Sequence, residues 1–206
     1  MTKHSYVMSA IGLGVLSAAY WWRKNPSACP YGQRFWVQPP HPFITRARLK
    51  EALAPKPGER ILEVGPGTGY YSLDAASWIE PNGQLDIFDL QQKMLDHTMR
   101  RAGKRRITNI TPTQGDARTL PYANDTFDAA YLITVLGEIP DQDAAVRELA
   151  RVLRPGGRLV VGELFGDPHW VSPSALRHRG QQAGLREVGR LGRLLGHYMA
   201  FEKTTQ

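Results

Sequence analysis

The sequence predicts an α/β fold in which helices cover both faces of a doubly wound, mostly parallel sheet. Three observations predict it. Short apolar strands alternate with helical segments from Arg60 to the C-terminus, the connections between them are short, and a glycine-rich turn follows the first strand. Seven strands can be placed in this way, which is enough for one complete sheet.

The composition is that of a folded globular protein. The chain has 206 residues, of which 42% are hydrophobic and 22% charged, which excludes a disordered chain and a polytopic membrane protein. At roughly 150 residues per domain, the length predicts one domain plus an appendage. A single cysteine, Cys29, excludes an internal disulfide, and the histidine spacing predicts no metal site. The net charge of +7 suggests an anionic surface or ligand.

The sequence of residues 1–24 predicts an N-terminal hydrophobic helix. The stretch from Val7 to Trp22 carries no charge, ends in three aromatic residues and is followed by Arg23 and Lys24. It is shorter than the ~20 residues of a spanning helix, so an anchor could span the bilayer or lie in its interface. A cleaved signal peptide and a soluble helix packed on the domain are the alternatives. The basic pair favours a cytoplasmic main domain.

Residues 25–57 are predicted to be a linker and lid. Five prolines between residues 25 and 43 exclude a continuous helix, and a helix over Ile44–Leu53 follows. No long insertion follows the fifth strand of the main domain, so a cover for any ligand site must come mainly from this segment. Its aromatic residues either line an apolar pocket or pack the anchor onto the domain; they are Tyr31, Phe35, Trp36 and Phe43.

Residues 58–206 are predicted to form the main domain. The predicted strands, in order, are Arg60–Val64, Gln84–Asp89, Ile110–Thr113, Phe127–Thr134, Arg158–Glu163, Glu187–Leu191 and Tyr198–Lys203. The predicted helices are Tyr70–Ile79, Gln92–Ala102, Asp141–Leu153 and Ser174–Ala183. Turns at residues 81–83 and 155–157 separate these elements, and Ser172 is the predicted N-cap of the last helix.

The turn after the first strand predicts a ligand site. Glycines at 65, 67 and 69 permit positive φ and let the backbone approach a ligand closely, at the sheet edge where such folds bind ligands. The spacing differs from a dinucleotide-binding fingerprint, because Tyr70 stands where the third glycine is required. Glu63, two residues before the first glycine, is a candidate partner for a cationic amine.

Four segments together resemble the motifs of class I S-adenosylmethionine (SAM) methyltransferases. They are EVGPGTGY, FDLQQKML, GDARTLPYANDTFDAAYLITVLGEIPD and ELARVLRPGGRLVVGE, and they occur in the order of that family. The resemblance covers about residues 50–206 and is strongest to the ubiquinone/menaquinone C-methyltransferase-like branch of small-molecule enzymes. It implies a Rossmann-like, doubly wound, seven-stranded sheet whose last strand is antiparallel.

The resemblance also implies SAM as cofactor and a set of residues that bind it. Asp89 would bind the ribose hydroxyls, Asp116 would face the adenine amino group, and Ala117 would supply backbone contacts. The full implied set is Glu63, Gly65, Gly67, Thr68, Gly69, Asp89, Leu90, Asp116, Ala117 and Ile133.

Methyl transfer from a sulfonium needs alignment and exclusion of water, and a base only where the acceptor loses a proton. Glu138, which follows the fourth strand, is the first candidate for a base or a substrate-orienting group. The related branch often carries a histidine beside it, whereas this chain has Gly137. His169, followed by Trp170, is the second candidate. Alternatively, Glu138 is a carboxylate stabilised near the start of a helix, and His169 and Trp170 belong to a capping loop.

We therefore expect a methyltransferase that acts on a small lipophilic molecule, is associated with the membrane through its N-terminal helix, and has its catalytic domain in the cytoplasm. The basic runs at 100–106 and 177–193 could face anionic lipid or be solvated surface. They lack interleaved aromatics, so nucleic acid is not the favoured partner. A protein or tRNA methyltransferase and a non-catalytic SAM-binding membrane protein are the alternative functions.

Overall fold

The computed structural model describes residues 25–36 and 42–204. Their core is a seven-stranded sheet in the order β3-β2-β1-β4-β5-β7-β6. The strands are β1 (Arg60–Val64), β2 (Gln84–Asp89), β3 (Ile110–Gln114), β4 (Phe127–Ile133), β5 (Leu153–Leu164), β6 (Leu185–Arg193) and β7 (Gly196–Lys203). The first five strands are parallel, and β7 runs antiparallel to both of its neighbours. The prediction of a seven-stranded sheet with an antiparallel last strand is confirmed.

Within the described residues, five α-helices cover the sheet. They are α1 (Arg46–Leu53), α2 (Ser72–Trp78), α3 (Gln92–Lys104), α4 (Gln142–Val152) and α5 (Pro173–Gln182). The side chains of β1 show how the two faces are filled, because they alternate between two hydrophobic clusters. Ile61 lies in the cluster that α1, α2 and α3 help to form, and Leu62 lies in the opposite cluster beside α4 and α5. The sheet is therefore buried on both faces, as expected for a mostly parallel sheet.

Several boundaries differ from the sequence-based ones by a few residues. Helix α2 begins at Ser72 rather than Tyr70, and α3 extends to Lys104. The predicted turn at residues 155–157 lies within β5 as an irregularity, since Leu153 pairs with Phe127 and Arg158 pairs with Ala129. Strand pairing therefore begins before the turn and resumes after it.

The predicted N-terminal helix, residues 1–24, lies outside the described residues. Within the described residues, no helix has both the length and the apolar character needed to cross a bilayer.

The strand order reverses next to β1. The chain runs outward from β1 through β2 to β3, then returns to place β4 on the other side of β1. In open α/β sheets the carboxyl ends of the strands at such a switch point border a crevice where ligands bind. The fold therefore brings the residues after β1, β2 and β4 together at one edge.

Candidate active site

A cavity of about 740 Å³ lies at this edge of the sheet. Its floor is formed by residues that follow β1, β2, β3 and β4, and its remaining walls come from residues 26–33, Ile44 and residues 164–169. Most of the lining is apolar, including Tyr71, Phe88 and Met94. The cavity is large enough for a drug-sized ligand and combines apolar walls with a few polar groups, as small-molecule sites do.

The glycine-rich loop forms one wall of the cavity. Gly65, Gly67 and Gly69 all have positive φ, between 54° and 77°. A side chain at Gly65 would overlap the methyl groups of Val135, so this position also needs glycine for space. Helix α3 holds the loop from outside, because Thr98 Oγ1 donates to the Gly67 carbonyl at 3.2 Å and Arg101 donates to the Thr68 carbonyl. The loop backbone is thus fixed against the cavity.

Asp89 ends β2 and presents a buried carboxylate to the cavity. The backbone N–H of Gln91 donates to Asp89 Oδ1 at 2.8 Å, and the backbone N–H of Gly115 donates to the Asp89 carbonyl at 3.0 Å. Burial raises the pKa of Asp89 to about 6, although hydrogen bonds from Gln91 and Gly67 act in the opposite direction. At neutral pH this residue is a fixed acceptor at the end of the strand.

A segment before α1 crosses the cavity and is held from both sides. The side chain of Gln91 donates to the Cys29 carbonyl at 2.9 Å and accepts from the Tyr31 backbone N–H at 3.1 Å. On the opposite side, the Cys29 backbone N–H donates to Glu138 Oε2 at 3.2 Å. We call residues 25–36 the lid segment, because these contacts hold it over the loops that follow β2 and β4.

The lid segment does not line the cavity in the way the sequence suggested. Its lining residues are Pro26–Pro30 and Gln33, whereas the aromatic side chains expected to form an apolar pocket lie elsewhere. Phe35 and Phe43 are 55% and 39% exposed, Tyr31 contacts His97, and the Trp36 side chain lies outside the described residues. The aromatic pocket prediction is wrong for Tyr31, Phe35 and Phe43, because the proline-containing stretch before and beside them occupies this wall of the cavity.

Glu138 and His169 lie on adjacent walls of the cavity. Glu138 ends a short 3-10 helix, Leu136–Glu138, that follows β4. Gly137 packs so closely against His169 that a Cβ atom at position 137 would overlap the His169 carbonyl oxygen. The chain therefore has glycine, and not histidine, beside Glu138 because the loop after β5 occupies that space.

Three carboxylates near this wall resist ionisation. Burial, together with the neighbouring charges of Asp167 and Asp89, raises the pKa of Glu138 to about 8, although the hydrogen bond from the Cys29 N–H acts in the opposite direction. Burial likewise raises the pKa of Asp167, and that of Glu163 to about 8. Each carboxylate disfavours the charge of the others, and a ligand that brings a positive charge into the cavity would stabilise their ionised forms.

Asp116 differs from these carboxylates because it is already paired. Arg118 contacts both of its oxygens at 2.6 to 3.0 Å, which lowers the pKa of Asp116. Both residues line the cavity. A ligand amino group would therefore approach a half-exposed Asp116 carboxylate that is already paired with Arg118.

Glu63 lies below the glycine loop and not in the cavity lining. It is 2% exposed, and its Oε2 has no hydrogen-bond partner. Ser72 and Tyr131 are its polar neighbours, and burial raises its pKa to about 7. Gly69 also lies outside the lining, with its Cα facing Thr98. A direct ligand contact by Glu63 or Gly69 stays a prediction.

The other residues predicted to form the site come together around the cavity. Those that line it are Gly65, Gly67, Thr68, Asp89, Leu90, Asp116, Ala117, Ile133, Glu138 and His169. The cofactor-side residues follow or end β1, β2 and β3, apart from Ile133, which ends β4, whereas Glu138 and His169 follow β4 and β5.

Three lining residues were not among those predicted from the sequence. Gln91 contacts the lid segment more than 60 positions earlier in the chain, and Asp167 lies in a loop without a motif. Thr134 has a φ of +54°, a conformation that a non-glycine residue adopts only when its surroundings impose it. Gln91 could have been suspected from its position directly after the Asp89 strand end.

The sheet order, the glycine loop at the switch point and the acid at the end of β2 are the features that the resemblance to class I methyltransferases implies. Residues 61–157 match the family model described as a methyltransferase domain. This match agrees with the methyltransferase motifs found in the sequence.

Curated relatives match the same type of domain. The chain is 38% identical over 120 residues to a ubiquinone/menaquinone biosynthesis C-methyltransferase of Cellvibrio japonicus, covering 58% of this chain and 48% of that protein. It is also 38% identical over 133 residues to a demethylmenaquinone methyltransferase of Beutenbergia cavernae, covering 65% and 52%. The chain thus spans about half the length of the curated relatives it matches.

Solved structures share the fold. A SAM-dependent methyltransferase from Aquifex aeolicus superposes with a TM-score of 0.78 at 16% identity, covering 85% of this chain and all of that one. The [4+2]-cyclase SpnF superposes with a TM-score of 0.70 at 20% identity, covering 78% and 80%. Because a cyclase shares this fold, the site and not the fold must carry any argument about the reaction.

The cofactor that the domain implies is SAM, and the cavity fits it. Gly65 and Gly67 bring the loop backbone to the cavity, and Asp89 offers a carboxylate acceptor at the strand end. The titratable lining is mainly acidic, with Asp89, Glu138 and Asp167 set against Arg118, which suits a cationic ligand.

Proposed function

We propose that this protein transfers the methyl group of SAM to a small lipophilic acceptor at a membrane surface. The observation that carries the proposal is the composition of the cavity. Its cofactor side is the glycine loop and Asp89, and its other side is mostly apolar and covered by the lid segment. The relatives that are quinone-biosynthesis methyltransferases support a lipophilic acceptor.

The residues of the chain would have distinct roles. The glycine loop, Asp89 and Asp116 would hold the cofactor, which supplies a methyl group on a positively charged sulfur. The lid segment would exclude water, because it crosses the cavity between Gln91 and Glu138. Such a site works mainly by alignment, and no covalent intermediate is required.

Glu138 would accept the proton of the acceptor or orient it. Its pKa of about 8 keeps it mostly protonated at neutral pH, so a role as base requires activity to rise as the pH approaches 8. A role as hydrogen-bond donor instead requires activity to fall as the pH approaches 8. His169, on the neighbouring wall, is the second candidate for contact with the acceptor.

Binding of S-adenosylhomocysteine, measured by thermal shift and calorimetry, tests the cofactor site. We expect stabilisation of the full chain, and we expect Asp89→Ala and Gly67→Val to abolish it while unfolding stays cooperative. Asp96→Ala is the matched control, because Asp96 is exposed on α3 and outside the cavity lining. No stabilisation by millimolar ligand would contradict the proposed cofactor site.

Incubation with labelled SAM and separate lipid, protein and RNA fractions tests the acceptor class. Label in the lipid fraction supports the proposal. Label in protein or RNA would favour a macromolecular acceptor instead, and cofactor binding without transfer to any fraction would favour a non-catalytic SAM-binding protein.

The membrane part of the proposal rests on the uncharged stretch between Val7 and Trp22. Removal of residues 1–24 should shift the protein from the membrane pellet to the supernatant on fractionation. A full-length chain that already stays in the supernatant would contradict an N-terminal anchor.

A further inference from the structure

An exposed apolar surface adjoins the cavity. It is formed by Leu194 and Leu195, at the turn between β6 and β7, together with Phe43 and Phe165. Leu194 is the most exposed of these large hydrophobic residues, at 69%. We call these four residues the hairpin-tip surface. Contiguous exposed apolar groups of this kind mark interaction sites more often than isolated ones do.

Direct contacts make this surface continuous. The backbone N–H of Phe165 donates to the Leu195 carbonyl at 3.1 Å. Phe43 lies against Gly196, where a Cβ atom would come within 2.6 Å of the Phe43 Cβ. The ring of Phe165 also contacts Trp170 edge to face, with centroids 5.6 Å apart. The hairpin turn and the two phenylalanines therefore belong to one patch.

The two phenylalanines of the hairpin-tip surface are sequence neighbours of residues that line the cavity. Ile44 lines the cavity directly after Phe43, and Leu164 and Gly166 line it on either side of Phe165. The cavity and the hairpin-tip surface are thus neighbours.

Three arginines lie near the hairpin-tip surface. Arg190 and Arg193 on β6 and Arg48 on α1 are exposed, and none of them forms an ion pair within the described residues. Arg48 donates to the Phe43 carbonyl at 2.9 Å, which places it beside the patch. Apolar side chains flanked by arginines match the interface of an anionic bilayer, where each surface base adds about 1 kcal/mol of attraction.

We propose that the hairpin-tip surface docks on an anionic membrane and inserts Leu194 and Leu195 into its interface. This second contact, separate from residues 1–24, would hold the cavity against the bilayer, so that a lipophilic acceptor enters without crossing water. The inference extends the proposed function by naming the surface through which the acceptor is reached.

An environment-sensitive NBD fluorophore on Leu194→Cys tests the docking surface in the full chain. Cys29→Ser is introduced first so that only one thiol is labelled. With phosphatidylcholine vesicles containing 30% phosphatidylglycerol, the emission should shift to the blue and be quenched by spin-labelled lipids. Val188→Cys is the matched control, because Val188 is 45% exposed on β6 outside the hairpin turn and should stay in water.

Three outcomes would overturn the proposal. The label at 194 could remain in water while the protein sediments with vesicles, the label at 188 could respond equally, or the chain could fail to bind vesicles. A label at 194 that is already apolar without vesicles would assign the surface to another part of the same chain. S-adenosylhomocysteine binding is measured on the same samples, so a failure of the cofactor site is distinguished from a failure of docking.

Paired substitutions add a quantitative measure. Leu194→Ser combined with Leu195→Ser should lower partitioning onto these vesicles by about tenfold or more, whereas Val188→Ser should leave it unchanged. Arg190→Gln with Arg193→Gln should reduce partitioning onto anionic but not onto neutral vesicles. Lys93→Gln with Arg147→Gln is the charge-matched control, since both residues are exposed elsewhere on the domain. Equal loss in test and control pairs would contradict a specific docking face.

Discussion

Replacing Glu163 with glutamine should make the protein more stable at alkaline pH and leave it nearly unchanged near pH 5. Glu163 lies in β5 with 1% of its surface exposed, and it accepts one hydrogen bond, from the Val171 N–H at 3.2 Å. Its Oε1 has no partner. His197, opposite it on β7, gives no compensating charge, because burial lowers the pKa of His197 to about 4.

The magnitude follows from the difference between the folded and unfolded pKa values of Glu163. Burial raises the folded value from 4.5 to about 8. The unfolded chain therefore loses this proton first, and the free energy of unfolding falls as the pH rises from about 4.5 through 8. The full difference corresponds to an upper limit of roughly 5 kcal/mol. Repulsion shared with Glu138 and Asp167, and the cost of placing an amide there, reduce the expected gain at pH 9 to about 3 kcal/mol.

Urea unfolding followed by circular dichroism at pH 5 and pH 9 measures this gain. Glu148→Gln is the control, because Arg151 lowers the pKa of Glu148, and the charge of that residue stabilises the fold at both pH values. The control should lose stability similarly at pH 5 and pH 9. If the free energies of unfolding of Glu163→Gln and of the parent protein depended on pH in the same way, Glu163 would not be held protonated. The inference that burial keeps this side chain neutral would then be wrong.

Three other perturbations test the cavity walls. Gly137→Ala should displace the loop that carries His169 and cost about 2–3 kcal/mol of stability, because overpacking forces the backbone to move. Gly103→Ala is the control, since it adds a methyl group in open space on α3 and should be neutral or stabilising. Thermal unfolding compares the two variants. Gln91→Ala removes both of its hydrogen bonds to the lid segment, so limited proteolysis within residues 25–36 should become faster while global stability changes little. Once an acceptor is known, Glu138→Gln should abolish a rise in rate between pH 7 and 8.5 if Glu138 is the base, and a profile identical to that of the parent protein would exclude this role.

Local patterns were sufficient to predict most of the secondary structure. Most strands are short apolar runs, as in Arg60–Val64, where four of the five residues are buried. Ser172 caps α5 as predicted, since its hydroxyl accepts from the Ala175 N–H at 3.3 Å. Local signals of this kind do not depend on the rest of the chain, which is why they could be found in the sequence.

The parts of the cavity that were missed depend on contacts between distant residues. Glu138 and Cys29 are 109 positions apart, and nothing near either residue indicates that they meet. The same holds for Gly137, whose small size is explained only by the approach of His169. Motif spacing predicted where the strand ends carry functional groups, but the path of the lid segment is determined by packing.

The division of the cavity indicates which residues select the acceptor. The domain match covers residues 61–157, which include the glycine loop, Asp89, Asp116 and Glu138. The facing wall lies outside that range, in residues 26–33, Ile44 and residues 164–169. A fold shared by a methyltransferase and a cyclase does not by itself decide the reaction or the acceptor. Acceptor specificity in this chain should therefore depend on the lid segment and on residues 164–169, and the latter include Phe165 of the hairpin-tip surface through which we propose that the acceptor enters.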